Sequence, residues 1–170
     1  MADAFALEVV TPEVTLFAGA ATAVVLRTSI GSMTVLAGHA PFVGDVVPGE
    51  VKVEREGEPT LRMAVHGGFV QVDTSPHAAD GVDGAAQGPI PGLTTRVSLL
   101  AGVAELAQDI DLARAQEALA AATDRLNQLR GGSRGDGSTQ DGGATPELAL
   151  AQAALLRAEV RVQIAGASVG

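Results

Sequence analysis

The period of the hydrophobic pattern changes once along this chain, near Gly102, and this change constrains the fold more than any other sequence feature. Before it, short segments such as Phe5–Val10 alternate in burial preference with a period of two, which is typical of β-strands. After it, apolar residues recur at spacings of three and four, which is typical of amphipathic helices. The 170-residue chain is therefore predicted to combine a strand-rich part with a helical part.

Turn residues separate the predicted strands, and no helical crossover lies between them. The sequence therefore predicts an antiparallel all-β sandwich or barrel as the N-terminal domain, at residues 1–102. Within it, residues 75–93 are rich in Gly and Pro and carry no basic residue, so they are predicted to form a mobile loop. The predicted strands are Phe5–Val10, Val14–Phe17, Ala23–Arg27, Met33–Leu36, Gly49–Arg55, Leu61–Val65, Phe69–Val72 and Thr95–Leu100.

Residues 103–170 are predicted to form a C-terminal α-helical hairpin. Gly131 and Gly132 should end the first helix, residues 131–145 should form a flexible tether, and Pro146 should open the second helix. Because both apolar seams are rich in alanine, they bury little apolar area, and a hairpin held this weakly can open. The seams are Leu112, Ala115, Leu119, Ala122, Leu126 and Leu129 in the first helix, and Leu148, Ala151, Leu155, Ala158, Val162 and Ala165 in the second.

Composition excludes several classes of function. The formal charge of −9 and the aromatic content of 2% argue against binding to nucleic acid, which needs basic patches and stacking side chains. There is no Cys, and hence no disulfide, thiol nucleophile or Cys-ligated metal. The longest uncharged stretch is broken by Gly and Pro, so no membrane-spanning segment is expected. An acidic chain of this kind is expected to bind other proteins.

No self-sufficient active site can be recognised in the sequence. His39, His66 and His77 are not spaced as metal ligands on one element, and they are better interpreted as solvated or hydrogen-bonded histidines of turns and loops. The carboxylates of Glu54, Glu56 and Glu58 are interpreted as a solvated strand edge and turn. A nucleophile elbow and a phosphate-binding loop are both missing from the sequence. We therefore predict no catalytic residue and no metal site.

Five segments, in order, resemble the epsilon subunit of the bacterial F-type ATP synthase. One runs from Gly31 through Pro41 and ends in the turn Gly38-His39-Ala40-Pro41-Phe42. The others are Val9–Glu13, Val47-Pro48-Gly49, Ala64–Val70 and Asp109–Ala115. The resemblance implies a β-sandwich followed by a helix–turn–helix, which agrees with the fold predicted from periodicity.

The resemblance also implies a function. The chain would be a non-catalytic subunit of the central stalk that couples the gamma subunit to the c ring of a proton-translocating ATP synthase during ATP synthesis. Its C-terminal hairpin would regulate ATP hydrolysis and transiently meet the alpha and beta catalytic subunits. Such a subunit is peripheral, is found at the cytoplasmic face of the bacterial plasma membrane, and associates with the membrane only through the complex. It requires no cofactor.

The turns between residues 31 and 44 are the expected contact with gamma or the c ring, although the same residues also suit the shaping of a hairpin. Ser32 stands where the family often carries an acidic residue, so no salt bridge to the c ring is expected from this position. The predicted interface residues are Gly31, Ser32, Gly38, His39, Ala40, Pro41 and Phe42.

Some family members bind ATP in the hairpin as a regulatory ligand, and the resemblance extends to that motif. Asp111 would hold adenine or ribose, and three arginines would meet phosphate oxygens. The alternative is ordinary helix chemistry, with Asp111 as a cap and Asp111 and Arg114 as a surface pair. The nucleotide-site residues carried over from the family are Glu105, Ile110, Asp111, Arg114, Ala115, Arg157 and Arg161.

Two other functions compete with the stalk subunit. A free-standing β-sandwich protein-binding module would recruit an unrelated partner and would not copurify with a rotary ATPase. A small hydrolase or isomerase would use His39 or His66 with nearby carboxylates, and the isolated chain would turn over a substrate. Neither alternative explains why the five motifs occur in this order and are followed by a helical hairpin that can open.

Overall fold

The computed structural model describes residues 3–74, 94–132 and 145–167. The predicted mobile loop 75–93 lies outside the described residues, as does most of the predicted tether 131–145. The chain divides into two compact units, Met1–Leu106 and Ala107–Gly170. The first is all β and the second is helical, as the change of period predicts.

Among the described residues of the first unit, ten strands form one sheet, in the order β10-β7-β6-β3-β5-β8-β9-β1-β2, with β4 paired to β3. The sheet folds over on itself so that alternate residues from both halves share one core, which makes the unit a β-sandwich. The strands are β1 Phe5–Val10, β2 Thr15–Ala21, β3 Ala23–Thr28, β4 Gly31–Val35, β5 Phe42–Val46, β6 Gly49–Arg55, β7 Glu58–Val65, β8 Gly68–Asp73, β9 Arg96–Ala101 and β10 Ala104–Leu106.

The predicted strands are confirmed, and two strands were not predicted. Gly44 interrupts the apolar pattern of β5, and β10 has only three residues, so neither carries a clear period of its own. Both form because a neighbouring strand offers an unpaired edge: β5 pairs with β8, and β10 pairs with β7.

One strand pair departs from the predicted antiparallel arrangement. β1 pairs with β9 in parallel, with Leu7 opposite Val97 and Val9 opposite Leu99. Parallel neighbours usually need a helical crossover, but β1 and β9 are joined through the rest of the sandwich instead. The prediction considered only strands that follow one another in sequence, and so it missed this pair.

The core of the sandwich comes from the inward-facing residues of both halves of the sheet. Phe5, Leu26, Met63 and Leu99 are among its largest fully buried side chains. Each comes from a different strand; in β1, β3 and β9 it alternates with half-buried or exposed neighbours, whereas Met63 in β7 is followed by the buried Ala64. All members of this core cluster lie between Phe5 and Ala101, so the sandwich has a core of its own.

The helical unit begins with a short 3₁₀ turn, Ala107–Asp109, followed by α1 Leu112–Gly132 and α2 Pro146–Gly166. Asp111 caps α1, since its Oδ1 accepts the backbone N–H of Arg114 at 3.1 Å. Thr145 caps α2 in the same way, and Pro146 lies in the first turn, as predicted. No helix in the described part of the chain has the length and apolar character needed to cross a membrane.

The predicted seams are the buried faces of the two helices. Ala115 and Leu126 are buried in α1, with the other seam residues half-buried and the rest of the helix exposed. In α2, Ala151, Ala158 and Ala165 are buried, and Val160 and Ile164 are buried as well although they lie off the predicted seam. α2 also contacts the 3₁₀ turn, which widens the buried face near its C-terminal end.

Two predicted boundaries differ from the structure. α1 ends at Gly132, so the glycine pair ends the helix as predicted, but both glycines belong to α1 and not to the predicted tether. A glycine in the last turn of a helix loses only about 1 kcal/mol relative to alanine. The units meet between Leu106 and Ala107 rather than at residues 102 and 103, because Ala104–Leu106 pairs with β7 as part of the sheet.

Candidate functional site

Strand register places the turns of the sandwich at two opposite ends. One end, which we call the pocket end, carries the turns Thr11–Val14, Ser29-Ile30, His66-Gly67 and Gly102-Val103. These turns lie together because Thr28 pairs with both Gly31 and Val46, and Gly68 pairs with both Val46 and Ala101. The other end, the far end, carries the loop 36–41 between β4 and β5.

The predicted interface residues do not form one cluster. Gly31 and Ser32 lie at the pocket end, whereas Gly38–Phe42 lie at the far end. Gly31 and Ser32 begin β4, and the loop that contains Gly38 follows the other end of this strand, which at about 3.3 Å per residue is about 17 Å long. These residues therefore contribute to two surfaces.

The turn Gly38–Phe42 is tied to the sandwich by specific contacts. Gly38 has a φ of +76° and donates its N–H to the buried Thr95 hydroxyl at 2.8 Å. The His39 ring lies edge-on to Phe42, with ring centroids 6.5 Å apart, and Nδ1 is 2.8 Å from the Ala40 carbonyl oxygen. Phe42 is half-buried against the core and its ring covers Gly44. The turn is thus structurally constrained while Ala40 and Pro41 remain exposed.

The outer face of the sandwich carries an exposed apolar row near the pocket end. Phe69 in β8 is opposite Leu100 in β9, and Leu100 is opposite Val10 in β1. Phe69 is 62% exposed and Leu100 is 54% exposed. Asp45 in β5 is opposite Phe69 and ends the row with a carboxylate, which accepts a hydrogen bond from the Ser29 hydroxyl at 2.7 Å.

A cavity of about 500 Å³ opens beside this row. Val10, Pro12, Phe69 and Leu100 form apolar walls, and the backbone of the Gly67-Gly68 turn contributes another part of the lining. His66 supplies a polar group: its side chain is only 3% exposed, and its Nε2 lies 3.8 Å from a carboxylate oxygen of Glu105. The pocket is suited to an apolar group from a partner.

Two of the three histidines are described, and they differ in setting. His39 is half-buried and bonded within its turn, in agreement with its interpretation as a turn histidine, whereas His66 is buried beside Glu105. Glu54, Glu56 and Glu58 are exposed as predicted, and Glu58 pairs with Arg55. Among the described residues, no group of three potential metal ligands comes together.

The residues carried over for nucleotide binding are divided between the two units. Arg114 is exposed at the start of α1, Arg157 lies near the middle of α2, and Arg161 lies one turn further on. Asp111 acts as the helix cap, and Ile110 and Ala115 are buried and fix the junction between the 3₁₀ turn and α1. Glu105 belongs to β10 of the sandwich, where it pairs with Ala64.

The exposed apolar row was not predicted, although the sequence carries a signal for it. In β8 the buried positions are Val70 and Val72, so Phe69, which lies between core positions of the alternating pattern, faces outward. In β9 Val97 and Leu99 are buried, which puts Leu100 outward. A large apolar residue at a position of a strand that faces solvent indicates a contact surface.

Comparisons with known proteins agree over both units. The family model for the ATP synthase delta/epsilon chain beta-sandwich domain matches residues 4–76. The model for the long alpha-helix domain of the same chain matches residues 108–166. A structure of the Euglena gracilis mitochondrial ATP synthase, comprising OSCP, F1 and the c-ring, contains a chain with a similar fold. The TM-score is 0.66, with 21% identity over 98% of this chain and 82% of that one.

Similar bacterial sequences carry one description. The chain is 36% identical to the ATP synthase epsilon chain of Symbiobacterium thermophilum over 168 residues, 98% of this chain and 96% of that relative. It is 37% identical to the epsilon chain of Thermobifida fusca over 120 residues, 68% of this chain and 72% of that relative. The chain therefore belongs to the epsilon chains of ATP synthase, non-catalytic subunits of the F-type central stalk.

Proposed function

We propose that the two units of this epsilon chain divide its work. The sandwich attaches the chain to the gamma subunit and the c ring and so couples them during ATP synthesis. The hairpin regulates ATP hydrolysis by moving between a folded and an extended state, and it transiently contacts the alpha and beta catalytic subunits when extended. The chain would act at the cytoplasmic face of the bacterial plasma membrane, held there by the complex.

The observation that carries this proposal is the difference in how the two units are held together. The sandwich buries large side chains such as Phe5, Leu26 and Met63 in a continuous core. The two seams of the hairpin carry alanine at five of their twelve positions, Ala115 and Ala158 among them. A small apolar area gives a small free energy of closure, and a two-state element must have a small free-energy difference between its states.

Removal of the hairpin tests this division of work. A chain that ends at Leu106 should assemble into the ATP synthase and support ATP synthesis, because the sandwich core is complete without the helices. The complex that contains the truncated chain should hydrolyse ATP at a different rate from the complex that contains the full chain, as measured in a coupled ATPase assay. A truncated chain that failed to assemble would contradict the proposal.

We also propose ATP as a regulatory ligand of the hairpin, held through Arg114, Arg157 and Arg161. The observation that favours it is that Arg114 lies in the first turn of α1 and Arg161 lies near the C-terminal end of α2, and these two ends are neighbours in an antiparallel hairpin. Arg157 lies one turn before Arg161, nearer the middle of α2. Asp111 already caps α1 through its side chain, so we assign recognition of the phosphates to the arginines.

Titration calorimetry of ATP against the purified chain tests the nucleotide site. Arg114→Ala should lower the affinity by about tenfold or more, as expected for loss of a charge-assisted contact. Arg130→Ala is the matched control, because Arg130 lies in the last turn of α1, far along the helix from Arg114. Equal heats of ATP binding for the wild type and Arg114→Ala would refute the proposed nucleotide site.

A further inference from the structure

β10 is the shortest of the strands that the structure describes. It contains only Ala104–Leu106, lies at one end of the strand order, and pairs with β7 alone among the described strands. Leu106 is followed directly by Ala107, the first residue of the helical unit. A short edge strand opens more readily than a central strand, because fewer hydrogen bonds and buried apolar contacts hold it. The attachment of β10 therefore decides how much chain connects the sandwich to the helices.

The turn between β7 and β8 holds the chain where it enters β10. The backbone N–H of His66 donates to the carbonyl oxygen of Val103 at 2.9 Å. Two residues further along each strand, Ala64 lies opposite Glu105. In an antiparallel pair, alternate opposed residues exchange their backbone hydrogen bonds, so the N–H of Glu105 is directed toward β7. This N–H therefore reports whether β10 is attached to the sheet.

A side-chain pair joins the same turn to β10. Nε2 of His66 lies 3.8 Å from a carboxylate oxygen of Glu105, and the side chains are 3% and 30% exposed, so the pair is partly shielded from water and salt. Ionic attraction between them requires a protonated imidazole, and histidine is the side chain that ordinarily changes charge near neutral pH. Burial by itself disfavours the protonated ring, so the neighbouring charges decide whether the attraction forms.

Carboxylates outnumber cations around His66 among the described residues of the sandwich. The carboxylates at this end are Glu13 in the β1–β2 turn, Asp45 in β5, Glu50 in β6 and Glu105 in β10. The cations are Arg27 in β3, Lys52 in β6 and Arg62 in β7, and Lys52 and Arg62 pair with Glu50. β8 and β9 present uncharged residues here: Gly68, Phe69, Leu100 and Ala101. Because Glu105 is the carboxylate nearest to the ring, the local charges favour the protonated imidazole.

We infer that the His66–Glu105 pair makes the attachment of β10 to the sandwich dependent on pH. At mildly acidic pH the protonated imidazole attracts the carboxylate and keeps β10 on β7. As the pH rises, His66 loses its proton, the attraction is lost, and β10 detaches more often. Detachment frees residues 103–106, which at about 3.3 Å per residue add about 13 Å of extended chain before the helices. The hairpin then gains reach toward its extended state, a consequence that rests on the proposed function.

Hydrogen exchange of the backbone N–H of residue 105, followed by NMR in the full-length chain, tests the pH dependence. Its protection factor, corrected for the intrinsic effect of pH on exchange, should fall about threefold or more between about pH 6 and about pH 8. In His66→Gln and Glu105→Gln the protection factor should be the same at both pH values, because neither variant can form the ionic pair. His39→Gln is the matched control, since His39 bonds within its own turn at the far end, and it should keep the wild-type pH dependence.

Circular dichroism at both pH values reports whether each variant is folded. A protection factor in the wild type that does not change with pH would refute the inference without reference to any variant. A pH dependence that survives in His66→Gln, or one that is lost in His39→Gln, would refute His66 as its cause.

The consequence for the hairpin is tested in the assembled ATP synthase. The rates of ATP hydrolysis with the full chain and with the chain that ends at Leu106 should differ more at about pH 8 than at about pH 6. With His66→Gln in the full chain, the difference should be the same at both pH values. If the truncation has no effect at either pH, the proposed function fails. If it acts equally at both pH values while exchange at residue 105 depends on pH, only the link between β10 and the hairpin fails.

Discussion

Gly68 is the residue at which the sandwich tolerates least change. Its φ is +155°, and a Cβ would meet the Leu100 carbonyl oxygen at 2.1 Å and the Ala101 Cα at 2.9 Å. Both contacts are with backbone, which cannot move without disrupting the pairing of β8 with β9. The Gly67-Gly68 pair was predicted as a turn, but a close approach of two backbones cannot be read from one sequence.

Gly68→Ala should therefore lower the free energy of unfolding of the sandwich by about 2–4 kcal/mol, through steric overlap together with strain at positive φ. Gly57→Ala is the matched control, since Gly57 has a φ of +72° with nothing within 4 Å of its would-be Cβ. It should cost only about 1–2 kcal/mol, from the backbone strain alone. Urea denaturation followed by circular dichroism measures both, and equal losses would mean that the overlap with Leu100 is relieved.

At the scale of single elements, capping decides where the helices begin. Thr145 adopts an extended conformation with ψ of 149°, and its hydroxyl accepts the backbone N–H of Leu148 at 3.3 Å. Thr123 has the same side chain but lies inside α1, where its hydroxyl donates to the Leu119 carbonyl oxygen at 2.8 Å. The same residue type thus starts one helix and is a poor former in the interior of the other.

Replacement of these two threonines by alanine should have opposite effects. Thr145→Ala removes the cap of α2 and should destabilise the hairpin by about 1 kcal/mol. Thr123→Ala should stabilise it by about 0.5 kcal/mol, because alanine is the better helix former and Thr123 is exposed. The helical ellipticity of the full chain during thermal unfolding reports both changes, and a loss of stability in both variants would contradict this assignment of the cap.

At the scale of the whole molecule, the chain consists of two units with separate cores. The core cluster of the sandwich ends at Ala101, while Ala104 and Leu106 of β10 pack against it from the edge. The helical unit has its own buried residues, from Ala107 to Ala165. Units with separate cores are expected to unfold separately.

A fragment of residues 1–106 should fold without the helices and unfold cooperatively in urea. A fragment of residues 1–102 is the matched comparison, because it lacks only the strand β10 and the turn before it. Loss of the partly buried Ala104 and Leu106 should make it less stable by about 1–3 kcal/mol. Equal midpoints for the two fragments would show that β10 contributes nothing to the sandwich.

Residue patterns along the chain were enough to predict the class of each unit, the strands with a clear period, both helical seams and the start of α2 at Pro146. These features depend on local pattern and local chemistry, which a single chain displays directly. Which strands are neighbours depends on the folded arrangement: the parallel pair of β1 and β9, the short strand β10, and the row formed by Asp45, Phe69, Leu100 and Val10. Such contacts join residues far apart in sequence, and no local period records which distant strand will supply the partner.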